Sequence, residues 1–320
     1  MSPRVVEAIA PAKVNLWLAI RGRRPDGYHE LSTIMLALEL ADRLIVTSTE
    51  ASAGIALELS GPEVTEDIPC DASNLVWKAA ALALERVSEL GGEAAPGLHM
   101  RLVKRVPSQA GLGGGSSDAV AAILAVESLT GIDLGESWKR DTLAQLGADC
   151  AFFHQVGSSA LALCEGIGER VSPRSCPRPA WWVALVTPRL FCSTPEVFAA
   201  LPAERSAPSE SPLTDGFEAW PAERVGACLA SDLEPAAERA LPELLRWRAL
   251  LDQVAPVPFR LSGSGASFFG LFDDRSRAEE ALEVVVAAAT ERDLGLRFRA
   301  VTPAGAGGAR LDAGPDAGAS

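Results

Sequence analysis

The sequence predicts a mixed α and β chain in two parts, on three observations. Several stretches between residues 13 and 106 alternate apolar and polar side chains or are rich in β-branched residues, and read as strands. The last of them feeds a glycine-rich loop that runs straight into an apolar helix. Composition then turns to Pro and Arg over residues 172–179 before strands and helices resume, which places the passage between domains near residues 160–180.

After Pro11 the run Lys-Val-Asn-Leu-Trp-Leu-Ala-Ile puts Val14, Leu16, Leu18 and Ile20 on one face and Lys13, Asn15 and Trp17 on the other. Lys13 and Asn15 therefore share a face, either a solvated one or a site. Pro25-Asp26-Gly27 is a turn signal. Beyond it Tyr28, the single tyrosine of the chain, and His29 either cover an edge of the core or offer a ring and an imidazole to a ligand. Residues 31–38, 44–48 and 55–60 read as strands. A helix over 74–90 turns Leu75, Ala79, Leu82 and Val87 inward, with residues 71–74 as its cap and Gly91-Gly92 as its stop. Asn74 either caps that helix or touches substrate.

Residues 98–106 form the strand that enters the loop. Gly111, Gly113, Gly114 and Gly115 let the backbone adopt positive φ and approach a bulky anion closely. Ser116, Ser117 and Asp118 offer caps, and residues 119–129 form the helix, ended by Gly131. Unpaired N–H groups and the positive end of the helix dipole make this start a phosphate site. A Walker loop would need Gly-Lys-Ser/Thr, and a dinucleotide fingerprint a third Gly where Ser116 stands, so neither common motif fits.

A second helix, over 136–146, ends at Gly147-Ala148-Asp149, and Cys150 opens an apolar segment. Asp149 there is either a turn residue or a site carboxylate. Residues 159–164 and 170–172 flank a tight connection, 181–187 is a buried strand, and residues 193–196 open a short helix. Residues 203–212 are a polar loop. A helix runs from 231–235 through about Val254. Residues 258–261 and 268–272 are strands around a second small-residue loop, followed by a helix over 275–291 and a strand over 296–302, which completes a β-α-β-β-α-β-like half. The Gly/Ala-rich residues 303–320 are expected to be disordered.

With 320 residues, 48% of them hydrophobic, and seven Trp, there is ample material for a core. The net charge of −13 argues against a surface that gathers nucleic acid or anionic lipid, so any phosphate site is local. The six Cys form no Cys-x-x-Cys pair and no Cys/His cluster, and read as buried thiols in a reducing compartment. Residues 1–18 lack the apolar core of a signal peptide, and no stretch reaches the roughly 18 apolar residues of a membrane span. A cytoplasmic protein is expected, with no oligomeric state assigned.

Three strings carry a resemblance. Residues 107–119, Pro-Ser-Gln-Ala-Gly-Leu-Gly-Gly-Gly-Ser-Ser-Asp-Ala, resemble the phosphate loop of the GHMP kinases, the family of galactokinase, homoserine kinase and mevalonate kinase. Pro-Ala-Lys-Val-Asn-Leu at 11–16 resembles the family's first motif, and Ser-Gly-Ser-Gly-Ala at 262–266 its third. Leu-Gly-Ala-Asp-Cys-Ala-Phe-Phe at 146–153 is similar to the segment bearing its catalytic aspartate, with Ala151 where the family has proline. Glu165-Gly-Ile-Gly-Glu and Ser231-Asp-Leu-Glu-Pro also match, so the resemblance spans about residues 8–272.

It implies an α+β two-domain fold: a ribosomal-protein-S5-like half over residues 1–165, a ferredoxin-like half over 166–302, and an active site in the cleft between them. By the same resemblance Pro107, Gly111, Leu112, Gly113, Gly114, Gly115, Ser116 and Ser117 hold ATP, with Mg²⁺ as second cofactor and Ser117 as a candidate contact to it. Asp149 is then the base and Lys13 its partner beside the acceptor hydroxyl, while Asn15, Gly263 and Ser264 touch substrate. Arg24-Pro-Asp-Gly-Tyr-His resembles the branch whose small-molecule substrate is cytidine diphosphate-linked methylerythritol, phosphorylated at its 2-hydroxyl on the way to isoprenoid precursors; Tyr28 and His29 there hold the cytosine. The rivals are a GHMP kinase for another alcohol and a nucleotide-binding protein without catalysis.

Overall fold

The computed structural model describes residues 3–91, 95–177, 180–202, 210–305 and 307–312. Its chain order is β1 (Val5–Arg23), β2 (His29–Thr49), β3 (Ile55–Ser60), α1 (Leu75–Glu89), β4 (Gly97–Val103), α2 (Gly114–Thr130), α3 (Glu136–Leu146), α4 (Cys150–Gln155), β5 (Leu161–Gly166) and β6 (Arg170–Arg174). Then follow β7 (Trp182–Pro188), α5 (Thr194–Ala199), α6 (Ala222–Gly226), β8 (Ala230–Ser231), α7 (Glu234–Ala240), α8 (Leu244–Val254), β9 (Arg260–Leu261), β10 (Phe268–Phe272), α9 (Arg275–Glu291), β11 (Leu296–Pro303) and β12 (Arg310–Leu311).

Two sheets result. The first runs β12-β1-β2-β4-β3, with β5 attached along β2, β6 along β5 and β8 along β1. The second runs β11-β7-β10-β9, all antiparallel, the strand order of a ferredoxin-like unit. Strand β1 is the spine between them. Ala8 and Ala10 pack under α1 and α2, Val14, Leu16 and Trp17 join a core shared with Val183, Leu185, Phe269 and Leu271 of the second sheet, and Leu18 and Ile20 reach the core on that sheet's far side. Strand β10 alternates accordingly: Phe269 and Leu271 face the first sheet, Phe268 and Phe272 the outer helices.

Several expectations are corrected here. The alternation read for β1 fails at Trp17, because the register with β2 shifts between Asn15 and Trp17; the bulge turns Trp17 into the core that holds Val14 and Leu16, and sends Leu18 and Ile20 the other way. Residues 31–38 and 44–48 are one strand, β2, paired first with β5 and then with β4. In α1 the buried positions are Val76, Ala79, Ala80, Ala83 and Val87, whereas Leu82 points outward. The helix read through Val254 breaks into α7 and α8 around Pro242, which cannot donate to a continuing ladder. The first sheet keeps the chain through β6, past the boundary set at residue 165.

The tail also differs from the expectation. Gly305 N donates to Ala37 O, Gly308 N to Gly157 O and Ala309 N to Phe153 O, and β12 pairs with Ala8 and Ile9 of β1. Backbone partners hold most of this Gly/Ala-rich segment, helped by Arg43 Nη2, which donates to Asp312 Oδ2 at 3.2 Å, so composition alone concealed it. Residues 313–320, and 203–209 of the polar loop, lie outside the described residues. Of the six thiols, Cys150, Cys164 and Cys192 are buried, Cys176 and Cys228 half-buried and Cys70 exposed. Among the described residues no helix is long and apolar enough to cross a membrane.

Candidate active site

The glycine loop is built as a backbone device. Helix α2 starts at Gly114, earlier than its composition suggests, because Gly113 takes a left-handed φ of 72° and makes the N-terminal turn itself. Ser116, Ser117 and Asp118 are thus inside the first turns and cap nothing. A Cβ on Gly113 would lie 2.9 Å from the Phe153 ring and 3.1 Å from Lys13 Cγ, so glycine is what lets loop, lysine and α4 meet. Lys13 N donates to Leu112 O at 2.9 Å, tying the loop to β1. Ser262 Oγ donates to Gly111 O at 2.9 Å and Ser267 N to Ala110 O at 3.1 Å, tying it to the second sheet. Ser117 Oγ is buried with no hydrogen-bond partner.

Beside this helix start lies a pair of charges. Lys13 Nζ is 3.3 Å from Asp149 Oδ2; the lysine is almost wholly buried and the aspartate side chain is 27% exposed. Lys13 Nζ also donates to Asn15 Oδ1 at 2.7 Å. Asn15 Nδ2 in turn donates to Thr33 Oγ1 at 2.9 Å, and that hydroxyl donates to Trp17 O at 2.7 Å. This relay fixes which end of the amide faces the ammonium. Gly263, at φ 57°, closes over the pair: a Cβ there would be 3.3 Å from both Lys13 Nζ and Asn15 Oδ1. Ser264 instead shares a hydrogen bond of 2.8 Å with Thr194 at the start of α5.

Asp149 stands at the N-cap of α4, in a turn docked on α2: a Cβ on Gly147 would be 3.0 Å from Ser116 Oγ, and Cys150 Sγ donates to Ser116 O at 3.5 Å. Ala151 is the second residue of α4, where the backbone N–H has no intrahelical acceptor. A proline there would therefore cost no helical hydrogen bond. Burial pushes the Cys150 and Cys164 thiols up to about 12, leaving them inert beside the charges.

A second charge cluster, which the sequence reading missed, underlies the loop. Lys104 Nζ donates to Asp42 Oδ2 and, at 2.7 Å, to Asp118 Oδ2; all three residues are buried. Asp42 Oδ1 accepts from Arg105 N at 2.5 Å and Val106 N at 2.8 Å, so the chain is gripped just before Pro107. Asp118 Oδ1 has no partner, and burial pushes its carboxyl up to about 8 against the pull of Lys104. The only sequence signal was a lysine closing a strand whose end enters a glycine loop.

Tyr28 and His29 are not part of the Lys13 group. They occupy the tip of the β1–β2 ribbon, where His29 pairs with Arg23, whereas Lys13 pairs with Ala37. Tyr28 is 61% exposed; its N–H donates to Asp26 Oδ1 at 3.1 Å, which shapes the turn. The His29 ring lies 5.2 Å from that of Phe198 on α5, a contact from the second half that sequence could not show. Asn74 is a cap: its Oδ1 accepts from Val76 N at 2.9 Å and its Nδ2 donates to Pro69 O at 2.7 Å.

Models of known families match both halves, the GHMP kinases N terminal domain over residues 74–163 and the GHMP kinases C terminal over 217–290. A 4-diphosphocytidyl-2-C-methyl-D-erythritol kinase of Cereibacter sphaeroides is 36% identical over 286 residues, 88% of this chain and 94% of the relative. The chain belongs to the GHMP kinase family. Among solved structures, a 4-(cytidine 5'-diphospho)-2C-methyl-D-erythritol kinase superposes on this GHMP kinase with a TM-score of 0.71 at 32% identity, covering 93% of this chain and 99% of that one. A homoserine kinase from Cytophaga hutchinsonii reaches 0.69 at 18% identity, covering 96% and 97%. The architecture is thus shared with a solved structure of a differently named kinase, and the fold alone does not fix an acceptor.

Proposed function

We propose that this GHMP kinase is a cytoplasmic enzyme that moves the γ-phosphoryl group of ATP to the 2-hydroxyl of 4-diphosphocytidyl-2-C-methyl-D-erythritol. The observation that carries the reading is the Lys13–Asp149 pair, 3.3 Å apart beside the start of α2. Phosphoryl transfer needs alignment and charge neutralisation more than covalent help. Asp149 accepts the hydroxyl proton, and Lys13, held by Asn15 and Thr33, offsets the charge that develops on the attacking oxygen. A tertiary alcohol is crowded and weakly acidic, so both are wanted.

The N–H groups at the start of α2 suit the ATP phosphates. Among the described residues no cluster of three or more His, Cys, Asp or Glu is placed to hold a metal, whereas the partnerless Ser117 hydroxyl fits a phosphate oxygen or Mg²⁺. Mg²⁺ brought with the nucleotide supplies charge neutralisation on the phosphates. The cytidyl preference is supported by the names of the relatives and by Tyr28, whose exposed ring is available for stacking beside His29. The reading includes no nucleic-acid partner, in keeping with a net charge of −13.

The test is ADP release from ATP and Mg²⁺ with 4-diphosphocytidyl-2-C-methyl-D-erythritol, run beside methylerythritol phosphate, mevalonate and homoserine. Turnover on the cytidyl compound alone is the expected result. Turnover on another alcohol would move the chain to a different acceptor, and nucleotide binding without turnover on any of them would overturn catalysis.

A further inference from the structure

The segment 108–111 belongs to the first half by sequence, yet its carbonyls are held from the second. Ser267 N takes Ala110 O and Ser262 Oγ takes Gly111 O, both from the small-residue loop between β9 and β10. The remaining grip comes from Arg297 on β11, whose Nη1 donates to Ser108 O at 3.0 Å and whose Nη2 donates to Ser108 Oγ at 3.2 Å. Arg297 lies outside every string that resembles the family. A planar fork that meets two acceptors on one residue fixes direction as well as distance.

Peptide groups are planar and trans, so fixing the carbonyls of Ser108, Ala110 and Gly111 also fixes where the N–H groups of Gln109, Gly111 and Leu112 point. Those are the backbone donors immediately before α2. The segment needs such restraint: Gln109 sits at φ 54°, a left-handed conformation unfavourable for a residue with a Cβ, and its own side chain is anchored only at the surface, to Asp67 at 3.1 Å. Glu63 also faces the guanidinium; burial pushes its carboxyl up while Arg297 pulls it down.

We infer that Arg297 is a positioning residue of the nucleotide site, a latch from the second half that holds the entry of the phosphate loop in its anion-binding shape. It acts through Ser108 and rests on the reading of the α2 start as the ATP site. Removing it frees the loop entry to relax, so nucleotide affinity falls while the transfer centre around Lys13 and Asp149 is untouched.

The test is calorimetric binding of ADP with Mg²⁺, which needs no acceptor, beside steady-state kinetics of wild type, Arg297→Met, Arg297→Lys and Ser108→Ala. Arg297→Met is expected to weaken ADP binding and raise the KM for ATP about tenfold, the scale of a lost charged hydrogen-bond pair. The acceptor KM and kcat should stay within about twofold. Arg297→Lys should recover part of the loss, since an ammonium reaches one acceptor at a time. Ser108→Ala should lose less than Arg297→Met because the carbonyl contact survives. ADP affinity within about twofold of wild type in Arg297→Met, or an equal loss toward the acceptor, would overturn the latch. A wild-type protein that binds no ADP would instead overturn the ATP site itself.

Discussion

Lys13 Nζ lies 3.3 Å from Asp149 Oδ2 although the two residues reach the site by unrelated routes, one from the middle of β1 and the other from the N-cap of α4. What brings them together is the glycine loop, since Lys13 is tied to Leu112 and the Asp149 turn is seated on Ser116. Base and charge are therefore seated on the Leu112 and Ser116 end of the loop, beyond the entry that Arg297 holds at Ser108.

Asp149→Asn keeps that shape and removes the base. Its kcat is expected to fall by roughly 10² to 10⁴, the usual span for a lost acid–base group, with ADP affinity preserved. Steady-state kinetics decide it, and near-wild-type turnover would remove Asp149 from the chemistry.

Thr33→Val tests the relay behind Lys13. The swap keeps the side-chain shape but leaves the Asn15 amide without its acceptor, so Lys13 loses a fixed partner. A drop in kcat of about tenfold, with both KM values nearly constant, is the expected signature of misaligned charge. A change confined to KM would assign the relay to binding instead.

His29→Ala should raise the KM for the cytidyl substrate and leave that for ATP alone, because the ribbon tip is distant in register from the loop. Phe198→Ala should show the same pattern more weakly by freeing the imidazole from its neighbouring ring. Equal effects on both substrates would argue against a cytosine pocket.

Lys104→Met removes the cation that a buried pair of carboxylates shares. Breaking such a cluster from one side costs about 3–5 kcal/mol, which urea unfolding would register as a lower midpoint. Unchanged stability would mean that the carboxylates are not confined as the geometry has them.

Gly111→Ala would place a Cβ 2.1 Å from Ser262 O, at a φ of +76°. Gly131→Ala, with a similar φ of +73° but nothing within 4 Å, isolates the backbone strain alone, about 1 kcal/mol. The first variant is expected to lose clearly more stability than the second and to bind ADP poorly. Thermal melts with and without ADP separate the two effects.

Much of this was legible in the sequence. The strand, loop and helix around Gly111–Gly115 and the boundaries of α3, α9 and β3 follow from local composition. Lys13 and Asn15 share a face as the alternation requires, because the bulge comes only after Asn15. What stayed hidden is what depends on a partner remote in the chain. A shifted register moved Trp17 across the sheet, Asp42 met Lys104 only through tertiary pairing, and Phe198 reached His29 from a helix of the other half. Ser116–Asp118 look like caps in any strand-to-helix transition; a single left-handed Gly113 made them superfluous.

The return of β12 to β1 has a mechanical meaning. The chain crosses between the sheets four times, between Arg174 and Trp182, Pro188 and Ala230, Ser231 and Arg260, and Pro303 and Arg310, so the ferredoxin-like unit is tied to the first sheet within its own length as well as at both its ends. A body tied along its length in this way cannot swivel freely. The surfaces so held in register are the ones that carry Gly263 on one side and Lys13 on the other.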